Sequence, residues 1–299
     1  MPDKYDAAKS NRRKRPVRLL PIILIIVIIA VGVLLFDSNT RLVTTEYELH
    51  YQNLPETFDG FRIVVLSDIH AAEFGKNNEL LITKVREADP DIIAVTGDLI
   101  NFSRTTATET QIERAETLIK GLTPIAPVYY VTGNHEWDRR IDGPWALLSV
   151  LEEQGVHILR NKYTHLEAGG ESIILAGTDD RNGPADMVKP DEFVANIRKA
   201  EGDASFIVML EHRNYNLKLY SELGVELVLC GHSHGGIIRL PFTDGLIGQQ
   251  RDLFPTYTNG IYAMGDTNMV VSRGIGNHVG LLRFLNNPHV VFVKLKVES

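Results

Sequence analysis

Short apolar runs recur along the chain between residues 61 and 229, and polar segments separate them. Six of these runs are rich in Val and Ile and are either continuously apolar or alternate with a period of two. Such a pattern predicts strands that are buried inside the fold. The predicted strands cover residues 61–67, 92–96, 128–132, 173–176, 206–210 and 225–229.

Apolar positions between several of these strands follow the spacing of a helix face. The predicted helices cover residues 78–88, 109–120, 144–155, 191–200 and 215–223. Alternation of strand and helix predicts an α/β fold built in layers. The last forty residues carry several glycines between apolar runs, which predicts antiparallel strands at the end of the chain.

A single stretch near the start of the chain is apolar on every face. Residues 19–36 read LLPIILIIVIIAVGVLLF and contain no charged side chain, and their number lies at the short end of the roughly 17 to 25 residues that span a bilayer. We interpret the stretch as a transmembrane helix. The alternatives are a buried core helix and a cleaved signal peptide, and no small-x-small cleavage site follows residue 36.

This interpretation divides the chain into a basic tail (1–18), a transmembrane anchor (19–36), a short tether (37–41) and a folded domain (42–299). By the positive-inside rule, the tail lies in the cytoplasm and the domain lies outside the cytoplasmic membrane. Residues 42–51 alternate with a period of two and predict a first strand. An extended tether of five residues reaches at most ~18 Å. The domain is therefore expected to lie against the membrane surface.

Composition and charge narrow the class of protein. Of the 299 residues, 44% are hydrophobic and 23% are charged, as in ordinary globular proteins. The net charge is -7, but residues 1–18 carry seven Lys or Arg against two Asp, so the other 281 residues carry a charge of -12. An acidic domain of this kind disfavours nucleic acid as a partner. The only cysteine, Cys230, cannot form an internal disulfide.

Polar residues that can bind metal ions follow five of the six predicted strands. In open α/β sheets, ligands bind outside the carboxyl ends of the strands, so these residues are expected to converge. They are Asp68 and His70 after the first strand, Asp98 after the second, Asn134 and His135 after the third, His212 after the fifth, and His232 and His234 after the sixth.

The donor types in this set indicate which ions it would bind. Imidazole and carboxylate groups suit Mn, Fe or Zn and disfavour a thiolate-type zinc site. Seven candidate ligands are too many for one tetrahedral ion, but they suffice for two divalent ions that share a bridging carboxylate, about 3.5 to 4 Å apart. A lone histidine would be interpreted as an ordinary core residue. Five histidines that each follow the end of a predicted strand favour a metal site.

The ordered set DIH, GD, GNHE, a single His and GHSH resembles the calcineurin-like metallophosphoesterase superfamily, over residues 47–296. The anchor and the sequences GFRIVVLSDIH, GHSHGGIIRLPF and VSRGIGNHVGLLRFLNNP resemble the bacterial membrane-associated phosphodiesterase branch, which includes relatives of UDP-diacylglucosamine pyrophosphohydrolases. The resemblance implies a four-layer αββα sandwich of two mixed β-sheets between helices, and it makes residues 42–299 the metallophosphoesterase domain.

The resemblance also implies a role for each residue. It places Asp68, His70 and His234 on one metal ion, and Asn134, His212 and His232 on the other, with Asp98 bridging the two. A hydroxide held by the ions is the nucleophile, and His135 is the general acid that protonates the leaving group. Arg273, in the loop SRGIGN, could hold a substrate phosphate by a bidentate contact. The alternative for Arg273 is an exposed cation in a β-turn.

Two positions depart from the pattern of the family. Many relatives have Asp where this chain has Asn101, and many have Pro where it has Asn214. An asparagine cannot form an ion pair with His135, so the group that orients the acid is in question. Asp138 could replace it, although a solvated loop carboxylate is the alternative interpretation.

We therefore predict a single-pass, membrane-anchored, dinuclear metal-dependent phosphoesterase that hydrolyses a phosphodiester or pyrophosphate bond. Its expected partners are the membrane and a phosphorylated small-molecule or lipid-linked substrate. One alternative is a phosphomonoesterase or phosphoprotein phosphatase. Another is a metal-binding scaffold whose catalysis has decayed, which the presence of all eight metal-binding and acid residues disfavours.

Overall fold

The structure is a computed structural model that describes residues 19–103, 105–141, 143–184, 187–240, 243–248, 252–277 and 282–298. The predicted basic tail, residues 1–18, lies outside the described residues. Helices α1 to α6 are Leu19–Thr40, Glu79–Glu87, Thr108–Leu122, Trp145–Glu153, Pro190–Glu201 and Leu217–Glu222. Strands β1 to β14 are Val43–Tyr51, Arg62–Leu66, Ile92–Thr96, Val128–Val131, His157–Ile158, Lys162–Ala168, Glu171–Gly177, Ile207–Leu210, Leu227–Cys230, Ile238–Arg239, Gly245–Ile247, Gly260–Met264, Thr267–Val271 and His289–Val297.

Two six-stranded mixed sheets form the centre of the fold. Their strand orders are β1-β14-β2-β3-β4-β5 and β12-β13-β9-β8-β7-β6, and β10 and β11 form a separate hairpin. Strands β2, β3 and β4 are parallel to one another, and so are β7, β8 and β9. The carboxyl ends of each parallel group therefore lie at one edge of its sheet.

Successive residues of the central strands pack into different cores, because neighbouring side chains on a strand point to opposite faces. In β2, Ile63 and Val65 join the core between the two sheets, while Val64 and Leu66 pack under α2, α3 and α4. The outer face of the second sheet packs under α5 and α6. These three cores separate four layers, and the α/β class and the αββα sandwich are confirmed.

The strands and helices predicted between residues 61 and 229 all form, with ends shifted by a few residues. The sequence pattern missed β5, β6 and the β10-β11 hairpin. In β6 the only fully buried side chain is Leu166, so the apolar period is weak. The chain end is antiparallel only in part, because β14 inserts between β1 and β2 and pairs parallel with β1.

The first helix is longer than the sequence predicted. The apolar stretch was expected to end at residue 36 and to be followed by an extended tether, but α1 continues to Thr40. The polar residues stabilise this last turn, because Asn39 and Thr40 donate side-chain hydrogen bonds to carbonyls four residues earlier, and Asp37 forms an ion pair with Arg41 at 2.6 Å. The prediction of an extended tether is therefore wrong, whereas the predicted first strand is present as β1.

Within the described residues, α1 is the only helix long and apolar enough to cross a membrane, judged by length and composition. None of its apolar stretch is buried against the rest of the protein. The helix is consistent with a single span. The division of the chain into tail, anchor and folded domain stays a prediction.

Candidate metal centre

The loops after β2, β3 and β9 carry the predicted metal ligands in an unusual backbone conformation. Five of these ligands have a positive φ between 47° and 66°, although none is glycine: Asp68, His70, Asp98, His232 and His234. Such conformations are costly, persist only where the surrounding structure imposes them, and cluster at functional sites. The loops bond to each other, since Asp68 N donates to Gly97 O and His70 N donates to Asp98 O.

Glycine is required where these loops approach most closely. A Cβ atom on Gly133 would lie 2.2 Å from Asp98 Oδ1, and one on Gly231 would lie 2.3 Å from Asp68 Oδ2. Any larger residue would displace a carboxylate. Gly133 therefore lets the loops after β3 and β4 of the first sheet meet at Asp98, and Gly231 lets the loop after β9 of the second sheet approach Asp68.

Four buried side chains form the first half of the site. Asp68, His70, Asp98 and His234 each offer a ligand atom within 4.8 Å of the others. His70 Nε2 lies 3.0 Å from His234 Nε2, and His234 Nε2 lies 3.3 Å from Asp68 Oδ1. Asp98 Oδ2 lies 3.9 Å from His70 Nε2.

Asp98 also belongs to the second half of the site, with His212 and His232. His212 Nε2 lies 3.3 Å from Asp98 Oδ2, 3.1 Å from His232 Nδ1 and 3.1 Å from Asn134 Oδ1. All seven predicted ligands thus come together, and Asp98 Oδ2 faces both groups. The assignment of each residue as a ligand stays a prediction.

The donor set fits divalent cations. His212 Nδ1 lies 2.8 Å from the Thr96 carbonyl oxygen, which can only accept, so Nδ1 carries a proton and Nε2 is the nitrogen left to bind a cation. Nε2 faces the oxygens of Asp98 and Asn134, where a divalent cation can take the place of a second ring proton. A carbonyl that orients a ligating histidine through its other nitrogen is a common feature of metal sites.

The electrostatics of the pocket also favour positive charge. Burial alone would lower the pKa of His212, but the Asp98 carboxylate outweighs it and raises the pKa to about 10. Asp98 Oδ2 and Asp68 Oδ1 are both buried, and neither has a hydrogen bond of normal geometry within the described part of the chain. Buried carboxylate oxygens in this state are costly unless cations bind them.

The predicted acid, His135, borders the same centre. Its backbone N donates to Asp98 Oδ1 at 2.9 Å, and its Nε2 lies 3.9 Å from Asp98 Oδ2. The ring packs edge-on against His70 with the centroids 4.9 Å apart, and about a tenth of the side chain is exposed. His135 therefore lies next to the candidate metal centre and is largely buried.

The two departures from the family pattern have different surroundings. The backbone of Asn101 is held by Gln111, which accepts from Asn101 N at 3.0 Å and donates to Asn101 O at 2.9 Å. Asn214 donates from Nδ2 to Tyr257 O at 2.7 Å. Asp138 is engaged by Arg140, and this contact lowers the pKa of Asp138.

Arg273 lies behind the loop that carries His234. A Cβ atom on Gly235 would lie 2.9 Å from Arg273 Cγ, so the arginine packs directly on this glycine. Burial and the neighbouring guanidinium of Arg239 lower the pKa of Arg273 to about 10. A role for Arg273 in binding a substrate phosphate stays a prediction.

Sequence reasoning missed two buried residues that support the site. Glu136 accepts backbone hydrogen bonds from Gly133 and from the loop after β3, namely from Asp98, Leu99 and Ile100, and thereby joins the two loops. Its position directly after His135 in GNHE was the available signal. Burial and the Asp98 charge raise the pKa of Glu136 to about 7.

The second missed residue is Arg283, whose relative exposure is 2%. Its Nη2 lies 3.3 Å from His234 Nδ1 and donates to Gly276 O at 2.6 Å, while Nη1 donates to Arg273 O at 2.8 Å. Nothing in the local sequence LLRFL distinguishes this arginine from a surface cation, because its contacts lie on distant segments.

Comparison with known proteins agrees with this geometry. The family model for calcineurin-like phosphoesterases matches residues 61–236. The uncharacterized metallophosphoesterase YkuE of Bacillus subtilis is 30% identical over 256 residues, which cover 85% of each chain. The phosphodiesterase YaeI of Escherichia coli is 24% identical and is matched over 79% of this chain and 82% of its own.

A relative from Danio rerio is named a transmembrane protein with a metallophosphoesterase domain. It is 27% identical over 84% of this chain, and the match spans 56% of its own length. The family match covers more than half of the 299 residues, and it includes every predicted metal ligand and His135. The chain belongs to the calcineurin-like phosphoesterase family, and it is a metallophosphoesterase, a hydrolase of phosphoric esters.

Proposed function

We propose that this enzyme hydrolyses a phosphodiester or pyrophosphate bond with two divalent ions, and that it acts at the outer surface of the cytoplasmic membrane. The observation that carries the proposal is the convergence of two ligand groups on Asp98. The name of the relative YaeI supports a diester in preference to a monoester.

Each half of the site would hold one ion. Asp68, His70 and His234 hold the first, Asn134, His212 and His232 hold the second, and Asp98 holds both. When bound, the ions supply positive charge for the phosphoryl oxygens and lower the pKa of water. The donors are those of Mn, Fe or Zn sites.

His135 is proposed to move the proton. Its ring lies against His70 and its Nε2 faces Asp98 across 3.9 Å, so a leaving oxygen bound at the centre comes within reach of this nitrogen. A protonated imidazole at this place can donate its proton to the leaving group. The carbonyl of Thr96 keeps His212 in the tautomer that presents Nε2 to the centre.

The location follows from α1. A helix of 22 residues with an exposed apolar surface serves as a single span. The seven cations that precede it orient the tail towards the cytoplasm by the positive-inside rule. The name of the relative from Danio rerio supports membrane attachment.

A lipid-linked substrate is the class that fits this attachment best. Because α1 leads into β1 through two residues, Arg41 and Leu42, the folded domain stays close to the bilayer. Its active site is then confined to the region where the phosphates of lipids and lipid-linked molecules lie. A freely diffusing substrate would gain nothing from this confinement.

The test compares substrate classes on the full-length protein with Mn²⁺. We expect hydrolysis of a chromogenic phosphodiester and of a lipid-linked diester or pyrophosphate, and little hydrolysis of the matching monoester. Preference for the monoester would favour a phosphatase instead. Absence of turnover with every class, despite bound metal, would favour a scaffold without catalysis.

A further inference from the structure

Four large apolar side chains lie exposed on loops near the metal centre. They are Leu240, Leu253, Phe254 and Leu282, with relative exposures of 42%, 67%, 67% and 63%. We call them the apolar rim. Scattered exposed leucines are ordinary, whereas a group on connected segments indicates an interaction surface.

The rim residues lie on short segments that pair with one another. Phe284 N donates to Ile237 O and Arg239 N donates to Phe284 O, which joins the segment of Leu282 to that of Leu240. Leu253 pairs with Ile247 in the hairpin strand β11, and Phe254 N donates to Leu246 O. Adjacent strands lie about 4.8 Å apart. The four side chains are therefore carried by one small sheet-like unit.

This unit is attached to the end of α1. Leu285 N donates to Ser38 Oγ at 2.9 Å, and Arg283 N donates to Asn39 Oδ1 at 3.0 Å. Asn39 Nδ2 donates to Arg283 O at 2.9 Å, and Ser38 is buried. The segment beside Leu282 is therefore fixed at the height of Ser38 and Asn39 along the helix.

That height can be compared with the bilayer. The apolar stretch of 18 residues spans about 27 Å at 1.5 Å per residue, close to the hydrocarbon thickness of roughly 30 Å. Ser38 and Asn39 then lie only about 3 to 5 Å beyond Phe36. The segment that they bind falls within the headgroup layer, which is roughly 5 to 8 Å thick on each side.

The same unit borders the metal centre. A cavity of 160 Å³ is lined by His232 and Ser233 and by Asp252 and Pro255. Leu253 and Phe254 lie between the last two residues in the sequence. Two rim residues are therefore next to a cavity that a predicted metal ligand also lines.

We propose that the apolar rim inserts into the outer surface of the lipid bilayer and holds the entrance of the metal centre at the headgroup layer. The inference rests on the anchoring by α1 in the proposed function. The bilayer is the occupant because the rim is continuous, through hydrogen bonds, with the end of the apolar helix. A lipid-linked phosphate then enters from the membrane side, between the rim and His232.

Spin labels measure the depth of each site directly in the full-length protein. Cys230 is fully buried, so an introduced cysteine can be labelled selectively, with the unmodified protein as the labelling control. The variants are Leu253→Cys, Phe254→Cys and Leu282→Cys, with Ile26→Cys inside α1 and Gln52→Cys at the far end of β1. The nitroxide is probed in phosphatidylcholine-phosphatidylglycerol vesicles with oxygen, which concentrates in lipid, and with a water-soluble nickel chelate.

We expect labels at positions 26, 253, 254 and 282 to relax with oxygen and to lose their response to nickel, while the label at position 52 responds to nickel. If the rim labels respond to nickel while the label at position 26 is buried in lipid, the inference is overturned. The proposed anchoring by α1 is then unaffected. A nickel-accessible position 26 would instead contradict the anchoring itself. Rim labels shielded from both reagents would indicate a protein partner, which also overturns the inference.

Hydrolysis rates on soluble and on membrane-embedded substrates give a second test of the proposal. Leu253→Ser/Phe254→Ser should hydrolyse a soluble chromogenic diester at the normal rate and lose activity on a diester embedded in vesicles. Leu80→Ser, at an apolar position on α2 that is 54% exposed, is the matched control and should retain both activities. Equal activity of the rim variant on both substrates would contradict the proposal.

Discussion

Asp98 is the residue on which both halves of the site depend. Its Oδ2 faces His70 on one side and His212 on the other, and its Oδ1 accepts from the backbone of His135. The predicted acid and the two groups of predicted ligands therefore contact a single carboxylate. Substitutions at Asp98 and at His135 should have distinguishable effects for this reason.

His135→Ala should retain both metal ions and lower turnover by roughly 10² to 10⁴-fold, the usual contribution of a general acid. The loss should be larger for poor leaving groups, because they need the proton most. Metal analysis and rates over a series of leaving groups check this. Asp98→Ala is the comparison and should lose metal. A metal-free His135 variant, or the same deficit for every leaving group, would contradict the assigned role.

Glu136→Gln should reduce the free energy of unfolding by about 1 to 3 kcal/mol, because an amide cannot accept all the backbone hydrogen bonds that the buried carboxylate accepts. Metal content should fall as well, since Glu136 joins the Asp98 loop to Gly133. Chemical denaturation and metal analysis measure the two effects. Glu113→Gln, an exposed change on α3, is the control and should leave both values unchanged.

At the scale of elements, the junction between α1 and the folded domain is a structural contact, and no flexible linker separates them. Asn39 accepts from Asn277 Nδ2 at 2.8 Å and exchanges two hydrogen bonds with the backbone of Arg283. Arg283 in turn contacts His234. The end of α1 is thus connected to a predicted metal ligand through one residue, Arg283.

Asn39→Ala should lower the free energy of unfolding of the folded domain by about 1 to 3 kcal/mol, because it removes three partly buried hydrogen bonds to Asn277 and Arg283. Thermal unfolding of the full-length protein in detergent measures the loss. Thr40→Ala is the matched control, since the Thr40 hydroxyl donates to Phe36 O of its own helix and has no other side-chain hydrogen bond within the described residues. Equal effects of the two substitutions would mean that the junction contributes nothing to stability.

At the scale of the whole molecule, two sheets present the carboxyl ends of their parallel strands to one place. The loops after β2, β3 and β4 come from the first sheet, and those after β8 and β9 come from the second. The core between the sheets holds these edges together. Ligands from both sheets then enclose one buried centre.

Prolonged chelation should abolish turnover, and Mn²⁺ should restore it better than Mg²⁺, because Mg²⁺ prefers oxygen ligands and keeps its waters. Two bound ions per chain are expected on reloading, since two ligand groups share Asp98. Activity assays and elemental analysis check both statements. Full activity in excess chelator after long equilibration would exclude a dinuclear mechanism.

A chain that begins at Asp37 retains Ser38 and Asn39 and should hydrolyse a soluble diester as fast as the full-length protein. It should act poorly on a substrate embedded in vesicles, since the apolar rim alone, without the anchor, then contacts the bilayer. Comparison of the two proteins on both substrates is the measurement. Equal rates on the embedded substrate would refute a role for the anchor in substrate access.

The sequence by itself determined the features that depend on local patterning. Both faces of strands such as β2 and β9 are buried, so these strands are continuously apolar and can be recognised from their composition. The DIH and GHSH groups follow directly on such strands, and the α/β class followed from alternation. The apolar stretch of α1 was equally clear, because its length and hydrophobicity can be recognised directly in the sequence.

Only the tertiary structure decided which distant segments meet. The insertion of β14 between β1 and β2, the three backbone groups after β3 that donate to Glu136, and the contact of Arg283 with His234 all join residues far apart in sequence. The last turn of α1 also depends on contacts with a distant segment, since Ser38 and Asn39 accept hydrogen bonds from Leu285 and Arg283. A local pattern reports whether a side chain is buried, whereas its partner depends on how the whole chain packs.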